Sequence, residues 1–122
     1  FEYYLDGKLL GVALADKTSQ SFSAIYTFYQ VPDNKMSLGT FSVLKQMQYA
    51  LQNRIKYFYL GYYIAENSSL VYKARFRPNE VYLDGEWRPF RNAEGDFLIP
   101  QDKLQWKNSE HLVKATSYIE LT

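Results

Sequence analysis

The chain opens on strand-like patterning. Phe1 to Leu5 and Leu9 to Ala15 are apolar-rich runs, and Asp6-Gly7 between them supplies the positive φ angles of a tight hairpin turn. From Ser21 to Tyr29, Phe22, Ala24, Tyr26 and Phe28 alternate with Ser23, Ile25 and Thr27, which predicts a further strand in an antiparallel meander. Pro32-Asp33-Asn34 then reads as a turn. Beyond it the apolar period changes to that of a helix, with Phe41, Leu44, Met47 and Leu51 forming a stripe that Val43 and Ala50 widen. Ser37 is the expected N-cap, and Arg54 falls near the end, where a helix favours positive charge.

Tyr57 to Ile64 is apolar and aromatic without a polar face, the pattern of a strand covered on both sides near the centre of a sheet. Gly61 interrupts it and predicts a bulge or a close approach to the backbone. Asn67-Ser68-Ser69 predicts the start of a short helix running to Lys73 or Arg75, with Pro78 ending it. Val81 to Leu83 and Glu86 to Phe90 form a second hairpin around Asp84-Gly85, which repeats the Tyr-Leu-Asp-Gly string of residues 4–7. Past Arg91, residues 92–96 read as a loop and Phe97 to Ile99 as a short strand that Pro100 stops; Leu112 to Leu121 fits either a strand or a frayed helix. The order predicts an α+β fold, a mixed, mostly antiparallel sheet with helices packed on it.

Composition narrows the chemistry. The 122 residues suffice for one core, and 47% hydrophobic with 22% charged residues is an ordinary globular balance. No apolar run reaches membrane-spanning length, so no membrane partner is expected. The net charge of +1 neither favours nor excludes a nucleic-acid partner, and any electrostatic footprint is local. Cysteine is absent and His111 is the lone histidine, which excludes a disulfide framework, a cysteine nucleophile and a multi-Cys or multi-His zinc site within the chain. A Ser-His-Asp arrangement would have His111 alone to use. Lack of cysteine agrees with a reducing, cytoplasmic setting. Phe1 is not Met and already lies in a strand pattern, so the sequence reads as an excised or processed piece with an N-terminal region expected upstream.

Five segments taken together carry a resemblance. They are Leu10-Gly11-Val12-Ala13 leading to Asp16; Ser23-Ala24-Ile25-Tyr26 followed by Phe28-Tyr29; Ser37-Leu38-Gly39-Thr40; Tyr59-Leu60-Gly61-Tyr62 within the aromatic run; and Tyr72-Lys73-Ala74 with Phe76 and Pro78. In this order they resemble the C-terminal domain of arginyl-tRNA–protein transferases and their leucyl-transferring bacterial relatives. The resemblance covers roughly residues 5–90, taken as the core of the domain (1–90), with 91–122 as an extension packed on or added to it. It departs from the family at Gln30-Val31, where Asp-Pro is usual, and at Asn67, Ser69 and Leu70, where a Cys and a Lys-Met pair are usual.

The resemblance implies a GNAT-like acyltransferase fold that takes its acyl group from aminoacyl-tRNA, needs no cofactor within this chain, and delivers the amino acid to a protein or peptide N-terminus. An aminoacyl ester is already activated, and an α-amine of pKa about 7.7–8.0 is partly neutral at cellular pH, so alignment and an oxyanion donor suffice. Ser37, Leu38, Gly39 and Thr40 would receive a phosphate or terminal adenosine at the helix start, although a serine there also simply caps a core helix. Gly61 and Tyr62 would present a backbone N–H to the ester carbonyl; the plain reading is a packing glycine in a buried strand. Tyr72 and Lys73 would belong to the catalytic set, and Asp16 would orient the amine, although Asp at a strand end is ordinary turn chemistry. Lys73, Arg75 and Arg77 alternate with Ala74 and Phe76 and would hold phosphates or an acidic side chain, if they are not merely a solvated basic edge. Trp87 and Trp106 read as core or edge-covering residues. Two other outcomes stay open: a GNAT-type N-acyltransferase using acetyl-coenzyme A, or a non-catalytic tRNA- or protein-binding descendant of the fold.

Overall fold

The computed structural model describes residues 1–30, 37–105 and 111–115, the last as backbone only. Among the described residues, seven strands form one sheet: β1 (Glu2–Leu5), β2 (Lys8–Lys17), β3 (Ser21–Tyr29), β4 (Tyr57–Tyr63), β5 (Asn79–Leu83), β6 (Glu86–Arg91) and β7 (His111–Ala115). Their order across the sheet is β1-β2-β3-β4-β7-β5-β6. Each adjacent pair is antiparallel except β3–β4, which is parallel because helix α1 (Leu38–Gln52) carries the chain back between them. The α+β reading stands. Two 3-10 turns, η1 (Val71–Arg75) and η2 (Gln101–Leu104), complete the elements.

Both predicted hairpins form. Asp6 and Gly7 take φ of 49° and 76°, and Asp84 and Gly85 take 52° and 80°, the paired positive angles that match the twist of two-residue hairpins. The aromatic run is the fourth of seven strands, and its central place is the reason no polar face is needed. Its bulge falls between Tyr59 and Gly61, where Gly61 has φ +90°.

Helix α1 turns a different face to the sheet from the predicted stripe. Leu38, Ser42, Val43, Gln46, Met47 and Ala50 are buried, whereas Phe41, Leu44 and Leu51 are exposed. The buried face thus contains two polar residues that apolar periodicity passes over. Ser37 stands at the N-cap position with its carbonyl accepting from Phe41 N–H (2.9 Å), but its hydroxyl makes no capping bond. Arg54 lies beyond the helix at φ 55°, its N–H on the Leu51 carbonyl, with no basic residue in the last turn.

The C-terminal expectations fare unevenly. Phe97 makes an isolated bridge to Arg91 and no strand. The first part of the Leu112–Leu121 segment is strand β7; its remainder, with the Pro32-Asp33-Asn34 turn and Trp106, lies outside the described residues. The core joins α1 to the sheet, with Phe58 stacked on Phe22 at 5.7 Å, and Leu104 of η2 is fully buried among the described residues. Trp87 packs at the sheet surface against Tyr59 and Tyr82.

Candidate active site

Strands β3 and β4 pair only over Ser21–Ser23 and Tyr57–Tyr59. Beyond that the two strands share no ladder, and a cleft of about 610 Å³ opens along β3 from Ala24 to Tyr29, with Leu60 of β4 also on its wall. The start of α1 (Ser37, Leu38, Gly39, Thr40) forms one wall, and Ser68, Ser69, Leu70, Tyr72 and Lys73 form another. On the other side of the same helix start lies an apolar hollow of about 510 Å³ lined by Tyr3, Leu5, Leu10 and Phe41. The cleft has the convergent polar groups that chemistry requires, and the hollow does not.

Lys73 is the centre of the cleft's electrostatics. Half-buried, it donates from Nζ to the Tyr62 carbonyl at 2.8 Å, and a β-carbon on Gly61 would stand 3.4 Å from Nζ. The bulge therefore does two things: it turns the Tyr62 carbonyl to the lysine and leaves room beside it. Burial lowers the Lys73 pKa from the ordinary 10.5 to about 8, so that roughly a tenth of it is neutral at pH 7. Burial, with a smaller contribution from Tyr29, raises the pKa of Tyr72, which keeps its phenol protonated and able to donate.

η1 is fixed from behind. Buried Asn79 donates from Nδ2 to the carbonyls of Phe76 (2.9 Å) and Ala74 (3.3 Å), while its Oδ1 accepts from Arg91 N–H (3.1 Å). Arg91 adds an Nη1 bond to the Ala74 carbonyl at 3.1 Å. Asn67 Oδ1 accepts from Ser69 N–H at 2.9 Å, shaping the turn that leads into η1.

The cleft thus brings together Ser37, Leu38, Gly39, Thr40, Tyr72 and Lys73, with Gly61 and the Tyr62 carbonyl on Lys73; the Tyr62 ring is exposed. It does not gather the rest. Alternation along β2 sends Ala13, Ala15 and Lys17 toward Tyr49 of α1, so exposed Asp16 points to the opposite face. Arg75 and Arg77 do not line the cleft with Lys73. The alternation that would align the three belongs to a strand, and residues 71–75 are instead a 3-10 turn with three residues per turn. Arg75 is exposed, and Arg77 donates to the Ala93 carbonyl at 3.1 Å.

Sequence reasoning passed over Gln46, which is 1% exposed on the cleft wall. The signal was present: Ser42 and Gln46 are four apart and flank the apolar positions Val43 and Met47, so the same turn of helix buries them.

The chain is similar to curated aspartate/glutamate leucyltransferases. One from Acinetobacter baylyi is 37% identical over 100 residues, covering 82% of this chain and 37% of the relative. One from Hahella chejuensis is 40% identical over 86 residues, or 70% of this chain and 37% of the relative. One from Xanthomonas campestris pv. campestris is 41% identical over 92 residues, or 75% and 36%. The chain thus spans little more than a third of the length of these relatives. No solved structure matches it. The family described as "Arginine-tRNA-protein transferase, C terminus" matches residues 1–83, from β1 through β5, and so takes in the helix start, the bulged strand and Lys73. By that match over more than half its length, the chain belongs to the arginine-tRNA-protein transferase C-terminal family.

Proposed function

We propose that this chain supplies the acyl-transfer cleft of an aminoacyl-tRNA–protein transferase, which moves an amino acid from tRNA to the α-amino group of a protein N-terminus. The names of the relatives favour leucine as the amino acid and aspartate or glutamate as the residue that receives it. Use of a charged-tRNA donor favours a cytoplasmic reaction. The observation that carries the reading is Lys73, half-buried at the splayed strands with its pKa brought to about 8.

In the reaction the amine nitrogen forms a bond to the ester carbonyl carbon, and the carbon–oxygen bond to the terminal ribose breaks. A proton leaves the amine and one reaches the departing ribose oxygen. A lysine of pKa near 8 accepts the first proton in its neutral form and donates in its charged form, without a covalent intermediate. The Tyr72 phenol, held protonated by burial, is a donor for the oxyanion. Gly39 and Thr40 at the start of α1 offer N–H groups and the positive end of the helix dipole to the terminal nucleotide.

A second reading rests on a separate observation: Ser69 and Leu70, which depart from the family pattern, stand on the cleft wall itself. A chain altered there could bind aminoacyl-tRNA without transferring its amino acid.

Labelled Leu-tRNA and Arg-tRNA, with labelled acetyl-coenzyme A in parallel, offered to the full-length gene product with peptides beginning Asp, Glu or Ala, decide between these. Label passing to the acidic N-termini is the expected result. Label moving from acetyl-coenzyme A alone would overturn it in favour of an ordinary N-acyltransferase, and binding without transfer would favour the second reading.

A further inference from the structure

The two faces of the sheet differ sharply around β2 and β3. Ala13 and Ala15 turn toward α1, and Ala13 is 1% exposed. Val12 and Leu14 alternate with them and turn the other way. The register sets Val12 opposite Phe28 and Leu14 opposite Tyr26, and residues paired in this way share a face. The Tyr26 and Phe28 rings lie 5.8 Å apart on it. On this outer face Leu14 is 54% exposed, Tyr26 62% and Phe28 48%. An antiparallel sheet with one face in water normally carries polar residues there, and a joined apolar patch with a polar border marks an interaction surface. The border is formed by Glu2, opposite Val12, and by Asp16 and Ser23, opposite each other. Strand β2 also has a bare edge. Phe1 and Ala13 exchange two backbone bonds of 2.9 Å, but from Leu14 to Lys17 no strand lies on that side among the described residues.

We propose that, in the full-length protein, the polypeptide ahead of Phe1 continues β1 along the free edge of β2 and then packs over the outer apolar face of β2 and β3. Strand direction supplies the geometry. Glu2 faces Val12 and Phe1 faces Ala13, so the next residues upstream run beside Leu14, within the patch. The matched family is a C terminus, and the chain covers 37% of the Acinetobacter baylyi relative, so such relatives carry most of their length ahead of this part. A segment tethered at that point meets the patch at high effective concentration, ahead of any free partner. Charge argues for protein over RNA. Glu2 and Asp16 at the border repel a phosphate backbone, whereas a covering segment with an apolar face and flanking Lys or Arg complements them.

The test uses the unaltered full-length gene product first. Hydroxyl-radical footprinting compares Leu14 with Leu98, two leucines of nearly equal exposure in this structure, at 54% and 51%. The expected result is oxidation of Leu14 about fivefold or more slowly than Leu98, as for a leucine withdrawn from water. A photo-cross-linker then identifies the occupant, with benzoylphenylalanine in place of exposed Tyr26 of the same full-length protein. The expected cross-link joins position 26 to a peptide upstream of Phe1 within one polypeptide, at single-chain mass. Equal oxidation of the two leucines, a cross-link between two copies, a cross-link to added tRNA, or no cross-link at all would each overturn the proposal. Neither readout involves transfer, so its outcome is independent of the function proposed above.

Discussion

Lys73 is where a single side chain sets the behaviour of the cleft. Its pKa is lowered on folding from 10.5 to about 8, so between those values the unfolded chain binds more protons than the folded one. Stability therefore rises with pH from about 8 to 10.5, and below pH 8 the full cost of burying the charge is present. Lys73→Met should flatten that rise, measured as denaturation midpoints at pH 7.5, 9 and 10, while lowering transfer about a hundredfold or more. Retained transfer by a folded variant would remove Lys73 from the mechanism. Tyr72, Lys73 and Gly61 were singled out beforehand by resemblance. What stayed hidden was their meeting, since the contact runs from an η1 side chain to a backbone carbonyl at a bulge, eleven positions back in sequence. Arg75 stands apart from Lys73 for a related reason: side-chain direction follows the local period, and within Val71–Arg75 that period is three.

At the scale of elements, the placement of η1 depends on Asn79. Its one carboxamide ties η1 to β5 and β6 by binding Ala74, Phe76 and Arg91 together. Asn79→Ala leaves these buried backbone groups without their partner, and a loss of about 1–3 kcal/mol is expected in urea denaturation. Transfer should fall as well, since Lys73 adjoins Ala74; a variant with unchanged stability would show that Arg91 alone holds the turn. Hairpins, helix and central strand were readable because each has a local signature, such as Asp-Gly at positive φ or an unbroken aromatic run. The buried face of α1 was misjudged because Phe41, Leu44 and Leu51 are apolar yet exposed, whereas the face against the sheet spends two positions on Ser42 and Gln46.

For the molecule as a whole, the order of strands matters more than their number. β7 lies between β4 and β5, pairing Tyr63 with His111 on one side and Val81 with Val113 on the other. The family match ends at residue 83 and the sequence resemblance at about 90, so neither contains this strand. A chain cut to residues 1–90 should consequently fail to unfold cooperatively, since β4 and β5 lose the strand they share and Leu104 leaves the core. A sharp thermal transition in that fragment would show that the first six strands are self-sufficient. No short-range pattern in the sequence could announce the insertion, because it joins residues far apart along the chain, Tyr63 with His111 and Val81 with Val113.

The same insertion orders events during synthesis. Of the seven strands β7 emerges last, yet it fills a slot near the middle of the sheet, so the facing edges of β4 and β5 wait unpaired until it arrives. Long-range pairings of this kind form slowly, and bare strand edges invite pairing with other chains. A nascent chain stalled before residue 111 would offer two such edges, flanked by aromatic side chains, which makes this the stage at which a chaperone has most to protect.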